Sequence, residues 1–227
     1  MNNQTAIFFD LDDTLIDYEA AFEQASLFSI KALHPHRDER EFFQFFKYYC
    51  DAYWSSYEKG SLLKQEYQAL RYNKAVEAMG YHAEEREACS FQEQLIQKIP
   101  EVCSPFPWSV HVLTCLKSQG IPWGIISNGY SSLQRAKMGC LPTLPEERHI
   151  FISEENGFEK PNPDYFRFVQ KKTGWMRPVY VGNSYELDIV PAKEAGWRTL
   201  WLSPENGKTP IITPSLLASF LTSQYLV

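Results

Sequence analysis

Short runs of apolar residues, separated by longer stretches with helical periodicity, dominate the 227-residue chain. Each run is nearly continuous in apolar residues and is bounded by polar residues or glycine, which is typical of strands buried on both faces. Helical stretches such as Ser109–Gln119 and Pro163–Thr173 separate most of the runs, so the pattern predicts a parallel sheet flanked by helices. The predicted strands are Ala6–Phe9, Pro122–Ile126, Ile150–Ile152, Val179–Val181 and Thr199–Leu202.

One long segment interrupts this alternation. Residues 17–103 contain no convincing strand pattern, but they contain stretches typical of helices at Tyr18–Leu33, Asp38–Tyr57, Leu62–Met79 and Ala83–Ile99. We therefore predict an α/β fold, in which residues 1–16 and 104–227 form a Rossmann-like core. An all-helical domain, residues 17–103, is inserted after the first strand. A last amphipathic stretch, Pro214–Leu226, predicts a covering helix.

Composition and charge exclude several classes of protein. Hydrophobic residues make up 44% of the chain, which is enough for a sizeable core, and the net charge of −6 argues against a wide basic surface for nucleic acid polymers. No apolar run approaches the ~20 residues of a membrane helix. The five cysteines are scattered without a CxxC spacing, which fits a reducing cytosol. We expect a cytoplasmic protein without a membrane partner, either monomer or dimer.

Polar residues follow the predicted strands at the point where each one ends. Because the ligand crevice of an open parallel sheet lies outside the carboxyl ends of its strands, we expect these residues to converge. They are Asp10 and Asp12 after the first strand, Ser127, Asn128 and Gly129 after the second, Lys160 after the third, and Asn183 and Asp188 after the fourth.

The chemistry of these residues points to a phosphate ester and a hard cation. Asp10 and Asp12 can face the same crevice, and two carboxylates this close repel each other unless a cation such as Mg²⁺ lies between them. Alternatively, Asp13 or Thr14 could cap a following helix. Ser127 stands where a helix is predicted to begin, which suits either a phosphoryl group or an ordinary N-cap. A lone lysine such as Lys160 is usually a surface charge, but beside several acids it would anchor substrate charge.

Together these motifs resemble the haloacid dehalogenase superfamily. The run Asp10-Leu11-Asp12-Asp13-Thr14 resembles its DxDxT signature, and the remaining motifs follow in the family's order, at Ser127, at Lys160-Pro161 and at Gly182-Asn183-Ser184 with Asp188. The resemblance covers essentially the whole chain, and the inserted segment resembles the superfamily's helical cap. The chain looks most like the small phosphatases, including nucleotidase-like and sugar-phosphatase-like members. This implies Mg²⁺-dependent hydrolysis of a small phosphate monoester, such as a nucleotide or a sugar phosphate.

The resemblance also implies a role for each motif residue. Asp10 attacks phosphorus and forms an aspartyl-phosphate, while Asp12 protonates the leaving oxygen and then activates water. The implied phosphate-binding residues are Thr14, Ser127, Asn128, Gly129 and Lys160. The implied magnesium ligands are Asp10, the backbone carbonyl of Asp12, Asn183 and Asp188.

One departure from the family pattern is Asn183, which stands where the fourth motif usually begins with an acid. Three alternatives follow: the site binds Mg²⁺ weakly yet turns over, Asp188 becomes the leading ligand of this motif, or the protein binds phosphate esters without cleaving them. A dehalogenase, in which Asp10 would attack carbon without a metal, is a further alternative. Asp12 argues against it, because those enzymes lack an acid at this position.

An aromatic stripe in the inserted segment bears on substrate choice. Five aromatic residues follow helical spacing and share one face, at Phe42, Phe46, Tyr49, Tyr53 and Tyr57. A packed core of the inserted domain is the favoured interpretation. In the alternative, a few aromatic residues, with Tyr18 and Phe22 nearest the crevice, stack on a flat substrate such as a nucleobase.

Overall fold

The computed structural model describes residues 5–58, 60–84 and 86–202, and the helix predicted at Pro214–Leu226 lies outside these described residues. The chain divides into two compact units. The first comprises the chain up to Tyr18 and from Cys103 onward, and the second comprises Glu19–Val102. Within the described ranges, no helix combines the length and the apolar character needed to cross a membrane.

A parallel five-stranded sheet forms the centre of the first unit. Its strands are β1 (Ile7–Phe9), β2 (Trp123–Ser127), β3 (Ile150–Ile152), β4 (Val179–Gly182) and β5 (Arg198–Trp201). They lie in the order β3-β2-β1-β4-β5, and every neighbouring pair is parallel. The predicted strands are therefore confirmed, with each end within one residue of its predicted position. The chain continues from β1 to β2 on one side and later to β4 on the other, so the carboxyl end of β1 is the topological switch point.

Helices complete both units. In chain order they are α1 (Tyr18–Leu33), α2 (Glu39–Glu58), α3 (Lys64–Ala78), α4 (Glu87–Val102), α5 (Pro107–Ser118), α6 (Ser131–Met138), α7 (Ser153–Asn156), α8 (Pro163–Thr173) and α9 (Val190–Glu194). A short 3₁₀ turn, Glu147–His149, precedes β3, and a π-helical turn, Tyr185–Ile189, follows β4. Helices α1 to α4 occupy the segment in which helices were predicted.

The core of the first unit lies against the sheet. All three residues of β1 are fully buried, as the nearly continuous apolar run predicts for a central strand. Large rings fill the space between the sheet and helices α8 and α9: Phe166 lies 4.9 Å from Tyr180 between ring centroids, and Trp197 lies 5.4 Å from both Phe8 and Phe166. Because this packing is close, β1 and β4 carry the site residues on a rigid base.

Two predicted helix starts are wrong. Neither Asp13 nor Thr14 caps a helix, because α1 begins only at Tyr18. Asp13 adopts a left-handed φ of 55° in a tight turn whose amide N–H bonds return to Leu11 O and Ile16 O. After β2, the helix begins at Ser131 instead of at Ser127. Gly129, with a φ of 135°, is incompatible with helical geometry and delays that start.

The second unit is built around aromatic packing. Phe42 and Phe46 of the predicted stripe are fully buried, and both rings contact Phe91, at centroid distances of 5.3 and 5.1 Å. Phe22 stacks on Phe46 at 5.8 Å. The packed-core interpretation is therefore confirmed for this end of the stripe, whereas the side chains of its later members, Tyr49, Tyr53 and Tyr57, are half-buried.

We expect Gly124→Ala in β2 to destabilise the first unit by about 2 kcal/mol, because the core cannot accept an added methyl group. A Cβ at Gly124 would lie 2.4 Å from the Phe8 ring and 2.5 Å from the carbonyl oxygen of His149. Urea unfolding would measure the loss. Thr114→Ala, on the exposed surface of α5, is the matched control and should change stability by no more than about 0.5 kcal/mol. Equal stability of both variants would contradict this packing.

Candidate active site

The carboxyl end of β1 carries two acids, and each one is paired with a lysine. The backbone N–H of Asp10 still donates to Val181 O at 2.9 Å, so Asp10 continues the ladder to β4. Its Oδ1 lies 2.6 Å from Lys160 Nζ. Asp12 lies two residues farther along, and Lys137 Nζ lies 2.6 Å from its Oδ1 and 2.7 Å from its Oδ2. The side chain of Asp10 is only 8% exposed and that of Asp12 is 28% exposed.

Lys160 is the centre of a buried polar cluster. Besides Asp10, its ammonium group contacts Asp188 Oδ1 at 2.6 Å and the Tyr180 hydroxyl at 3.1 Å. The Tyr180 hydroxyl lies 3.0 Å from Ile126 O and 3.2 Å from Asp188 Oδ1, the two acceptors available to its proton. The end of β1, strand β4, the π-helical turn after β4 and the loop before α8 therefore meet at one ammonium group. The predicted convergence of Asp10, Lys160 and Asp188 is present in the structure.

The backbone after β4 positions the Asp188 carboxylate beside Lys160. Ser184 caps the π-helical turn, since its hydroxyl accepts from Leu187 N at 3.2 Å and its N–H donates to Asp188 Oδ2 at 3.0 Å. The Asp188 side chain folds back over Gly182, where an added Cβ would lie 2.5 Å from Oδ2. Glycine at this position is therefore required by the close approach of the carboxylate.

Burial and charge set the protonation properties of the cluster. Burial is the main cause that raises the pKa of Asp10 to about 7; Lys160 opposes the rise, while Asp188 and Asp12 add to it. Burial also opposes the charge on Lys160, but Asp10 and Asp188 together outweigh it and raise the pKa of this ammonium. The lysine therefore stays charged, and one cation is shared by two buried carboxylates.

The residues predicted to bind phosphate divide into two groups. The side chain of Asn128 is already engaged, because it donates to Lys160 O at 2.8 Å and accepts from Lys160 N at 2.9 Å. The amide of Gly129 donates to Ser153 Oγ at 3.0 Å. Ser127, by contrast, donates only a long bond of 3.4 Å to Asn128 O, so its proton is available to a ligand oxygen. Thr14, which is buried, donates to Asn183 Oδ1 at 3.4 Å and links the first and fourth motifs.

The oxygen donors around Asp10 fit Mg²⁺. Among the described residues there is no group of three or more His, Cys, Asp or Glu side chains arranged to hold a metal. The hydrogen bonds of that part of the chain nevertheless leave Asp10 Oδ2 and the carbonyl of Asp12 without a donor, and Asn183 Oδ1 accepts only the long bond from Thr14. A mixed set of carboxylate, carbonyl and amide oxygens suits this ion, which retains several waters.

Asp188 does not fit the role of a leading metal ligand in this arrangement. Lys160 and Tyr180 occupy its Oδ1, and the N–H of Ser184 occupies its Oδ2. Its side chain is also only 1% exposed. The geometry therefore favours Asp188 as the partner of Lys160 over its predicted role at the metal.

Three residues of the site were missed by reasoning from sequence. Tyr180 was assigned to an apolar strand. Its hydroxyl, the one polar group in that apolar run, could have indicated a place in the site. Gln134 and Lys137 lie on α6; Gln134 Nε2 contacts Asp12 Oδ2 at 3.0 Å and Ser127 Oγ at 2.6 Å. The sequence feature that could have indicated Gln134 and Lys137 is a polar pair at i and i+3 on a short helix directly after the second motif.

A family model matches most of the chain. The model of the hydrolase family described as haloacid dehalogenase-like hydrolase matches residues 4–196. The chain belongs to the haloacid dehalogenase-like hydrolase family. The resemblance inferred from the motifs is thereby confirmed, and so is the Rossmann-like parallel sheet that it implied.

Individual relatives of this haloacid dehalogenase-like hydrolase include named phosphatases. The chain is 27% identical to pyrimidine 5'-nucleotidase YjjG of Escherichia coli (strain K12), over 90% of this chain and 88% of the relative. It is 35% identical to the glyceraldehyde 3-phosphate phosphatase of Methanocaldococcus jannaschii, over 42% of this chain and 43% of the relative. The solved structure of the putative hydrolase YfnB from Bacillus subtilis, bound to magnesium, shares the fold with a TM-score of 0.73, 23% identity and 92% coverage of both chains.

We expect Asp10→Asn to stabilise the metal-free protein by on the order of 1 kcal/mol at pH 8, because it removes one of two carboxylates sharing Lys160. The folded-state pKa of Asp10, about 7, lies above the ordinary value of 3.8. Ionisation of Asp10 therefore lowers the free energy of unfolding of the wild type as the pH rises from 3.8 to about 7. The difference in Tm between variant and wild type should be larger at pH 8 than at pH 5, measured by thermal melting with a chelator. A pH-independent difference would contradict the raised pKa.

Proposed function

We propose that this hydrolase is a Mg²⁺-dependent phosphatase that cleaves small phosphate monoesters through an aspartyl-phosphate intermediate. The observation that carries the proposal is the pair Asp10 and Asp12 at the carboxyl end of the central strand, each paired with a different lysine. A nucleophile and a separate acid–base group are what a two-step displacement at phosphorus requires. The named activities of the relatives, a nucleotidase and a sugar-phosphate phosphatase, support the same reaction class.

Asp10 is the nucleophile in this proposal. Lys160 Nζ lies 2.6 Å from its Oδ1 and holds the carboxylate in place, and one carboxylate oxygen of Asp10 attacks phosphorus. The P–O bond to the leaving group breaks as the bond to Asp10 forms. Lys160 offsets negative charge on the carboxylate and on the phosphoryl group, and electrostatic stabilisation of this kind is usually the largest single term in catalysis. Ser127 donates its hydroxyl proton to a phosphoryl oxygen.

Asp12 is the acid and the base. It protonates the departing oxygen in the first step and removes a proton from the attacking water in the second, which regenerates Asp10 and releases inorganic phosphate. Its side chain is more exposed than that of Asp10, which suits a group that exchanges protons with the leaving group and with water.

The metal site in this proposal consists of Asp10, the carbonyl of Asp12 and Asn183. When bound, Mg²⁺ would neutralise phosphoryl charge and orient the ester for in-line attack. Asn183 is held in place from two sides, since Trp201 Nε1 donates to its backbone carbonyl at 2.9 Å and Thr14 contacts its side chain. Because asparagine supplies an oxygen without a charge, we propose weak binding of the metal with turnover retained.

The proposed substrates are a nucleotide or a sugar phosphate, and the proposed location is the cytoplasm, where the five unpaired cysteines would stay reduced. The alternatives are a dehalogenase and a protein that binds phosphate esters without turnover. Dehalogenation at carbon leaves no use for Asp12, whose carboxylate is held by Lys137 and Gln134. The intact pairs at Asp10 and Asp12 likewise favour turnover over binding alone.

The first test is phosphate release from a panel of nucleoside monophosphates, sugar phosphates and an aryl phosphate, during a Mg²⁺ titration with a chelator control. We expect metal-dependent release, reduced to background in Asp10→Asn while the variant remains folded. Release that persists in Asp10→Asn would remove Asp10 as the nucleophile. Ligand-induced thermal shifts without any turnover would support the binding alternative, and halide release from a 2-haloacid would support the dehalogenase.

The second test restores the missing acid. We expect Asn183→Asp to lower the Mg²⁺ concentration for half-maximal rate by roughly tenfold, because an added carboxylate ligand strengthens binding of a hard cation. Gln97→Glu adds the same charge at an exposed position of α4 and should leave the metal dependence unchanged. If both variants reach half-maximal rate at the same Mg²⁺ concentration as the wild type, Asn183 does not lie at the metal ion.

A further inference from the structure

Lys137 is a buried lysine whose charge is directed at one carboxylate. Its side chain is 2% exposed, and its Nζ contacts both oxygens of Asp12. The Tyr18 ring lies 4.3 Å from the same ammonium group. Lysine is almost never fully buried unless it is paired, since removing an ammonium from water costs several kcal/mol. The surroundings of Lys137 therefore fix its charge beside Asp12.

Gln134 holds the same carboxylate from the same helix. It lies one turn before Lys137 on α6, so both side chains occupy one face. Its Nε2 contacts Asp12 Oδ2 at 3.0 Å, Asn128 O at 3.0 Å and Ser127 Oγ at 2.6 Å. The amide thus ties Asp12 to the carboxyl end of β2, which carries Ser127, and Asp12 Oδ2 receives contacts from both α6 residues.

This arrangement exceeds what stability alone requires. A surface helix such as α6 needs no buried cation for its own packing, and replacing a buried ion pair with apolar residues of similar volume is often neutral for stability. A group that transfers protons, by contrast, must be held within a few tenths of an ångström of its productive position. The ion pair with Lys137 and the hydrogen bond from Gln134 together restrict rotation of the Asp12 carboxylate about both side-chain torsions.

We propose that Lys137, assisted by Gln134, is a positioning residue that orients the Asp12 carboxylate for proton transfer to the leaving group and from water. This inference rests on the proposed phosphatase function and extends it to residues outside the four motifs. Lys137 acts through Asp12 and does not itself contact the reacting atoms.

Leaving-group dependence of kcat/KM in the Mg²⁺-loaded enzyme tests the proposal, because this parameter reports the step in which the ester bond breaks. An alkyl phosphate needs protonation of its leaving oxygen, whereas 2,4-dinitrophenyl phosphate does not. We expect Lys137→Met to lower kcat/KM by roughly 10- to 100-fold for glycerol phosphate and by less than about threefold for the dinitrophenyl ester. Lys137→Arg, which keeps a cation, should recover part of the loss.

A double-mutant cycle separates positioning from a general structural role. If Lys137 acts through Asp12, Lys137→Met should have little further effect on glycerol phosphate in an Asp12→Asn background. Lys171→Met, at an exposed position of α8, is the matched control and should leave both esters unchanged. Thermal melting confirms that each variant is folded.

The outcomes distinguish this inference from the proposed function. An equal loss on both esters, or full additivity with Asp12→Asn, would overturn the positioning role while wild-type turnover left the phosphatase proposal intact. If wild type and Asp12→Asn hydrolyse neither ester, the proposed function fails and the positioning role fails with it.

Discussion

The shared ammonium of Lys160 is the interaction on which the site depends. One cation faces two buried carboxylates, at 2.6 Å from each, in a place where water contributes little screening. Removing Lys160 would leave two buried carboxylates without a cation, which costs more than the ion pairs contribute. The surrounding residues follow from this constraint: Tyr180 supplies a further polar contact, Asn128 fixes the backbone of Lys160, and Gly182 leaves room for Asp188.

The two acids of the first motif differ because their environments differ. Asp10 is enclosed at the end of β1 beside a second buried carboxylate, and burial raises its pKa. Asp12 lies beyond the strand, is more exposed and faces a lysine of its own. Distinct surroundings for two nearby carboxylates are how enzymes assign a nucleophile and an acid–base group within one site. In the proposed mechanism the same strand end therefore supplies both roles, and one buried leucine, Leu11, separates the two acids.

The charge balance of the site also bears on the effect of a neutral residue, Asn183, at the start of the fourth motif. Asp10, Asp12 and Asp188 supply the negative charge of the site, and Lys137 and Lys160 offset most of it. A further acid at position 183 would add charge where the metal is proposed to bind, so the asparagine shifts the balance toward weaker attraction for a divalent cation. The oxygen itself is retained and is held in place by Thr14 and Trp201. The departure from the family pattern thus changes charge and preserves a donor.

The sequence alone determined the strands, the α/β class and the motif residues, because short apolar runs and polar strand ends are local signals that burial on both faces imposes. It also determined the helices of the inserted segment, including the buried stripe at Phe42 and Phe46. Only the tertiary structure decided the start of α6, where the conformation of Gly129 overrides cap preference. It alone brought Lys137, Gln134 and Tyr180 into the site. These contacts join residues up to 125 positions apart, such as Lys137 and Asp12. Side-chain pairing across that separation is set by how the helix and the sheet pack, and no local pattern encodes it.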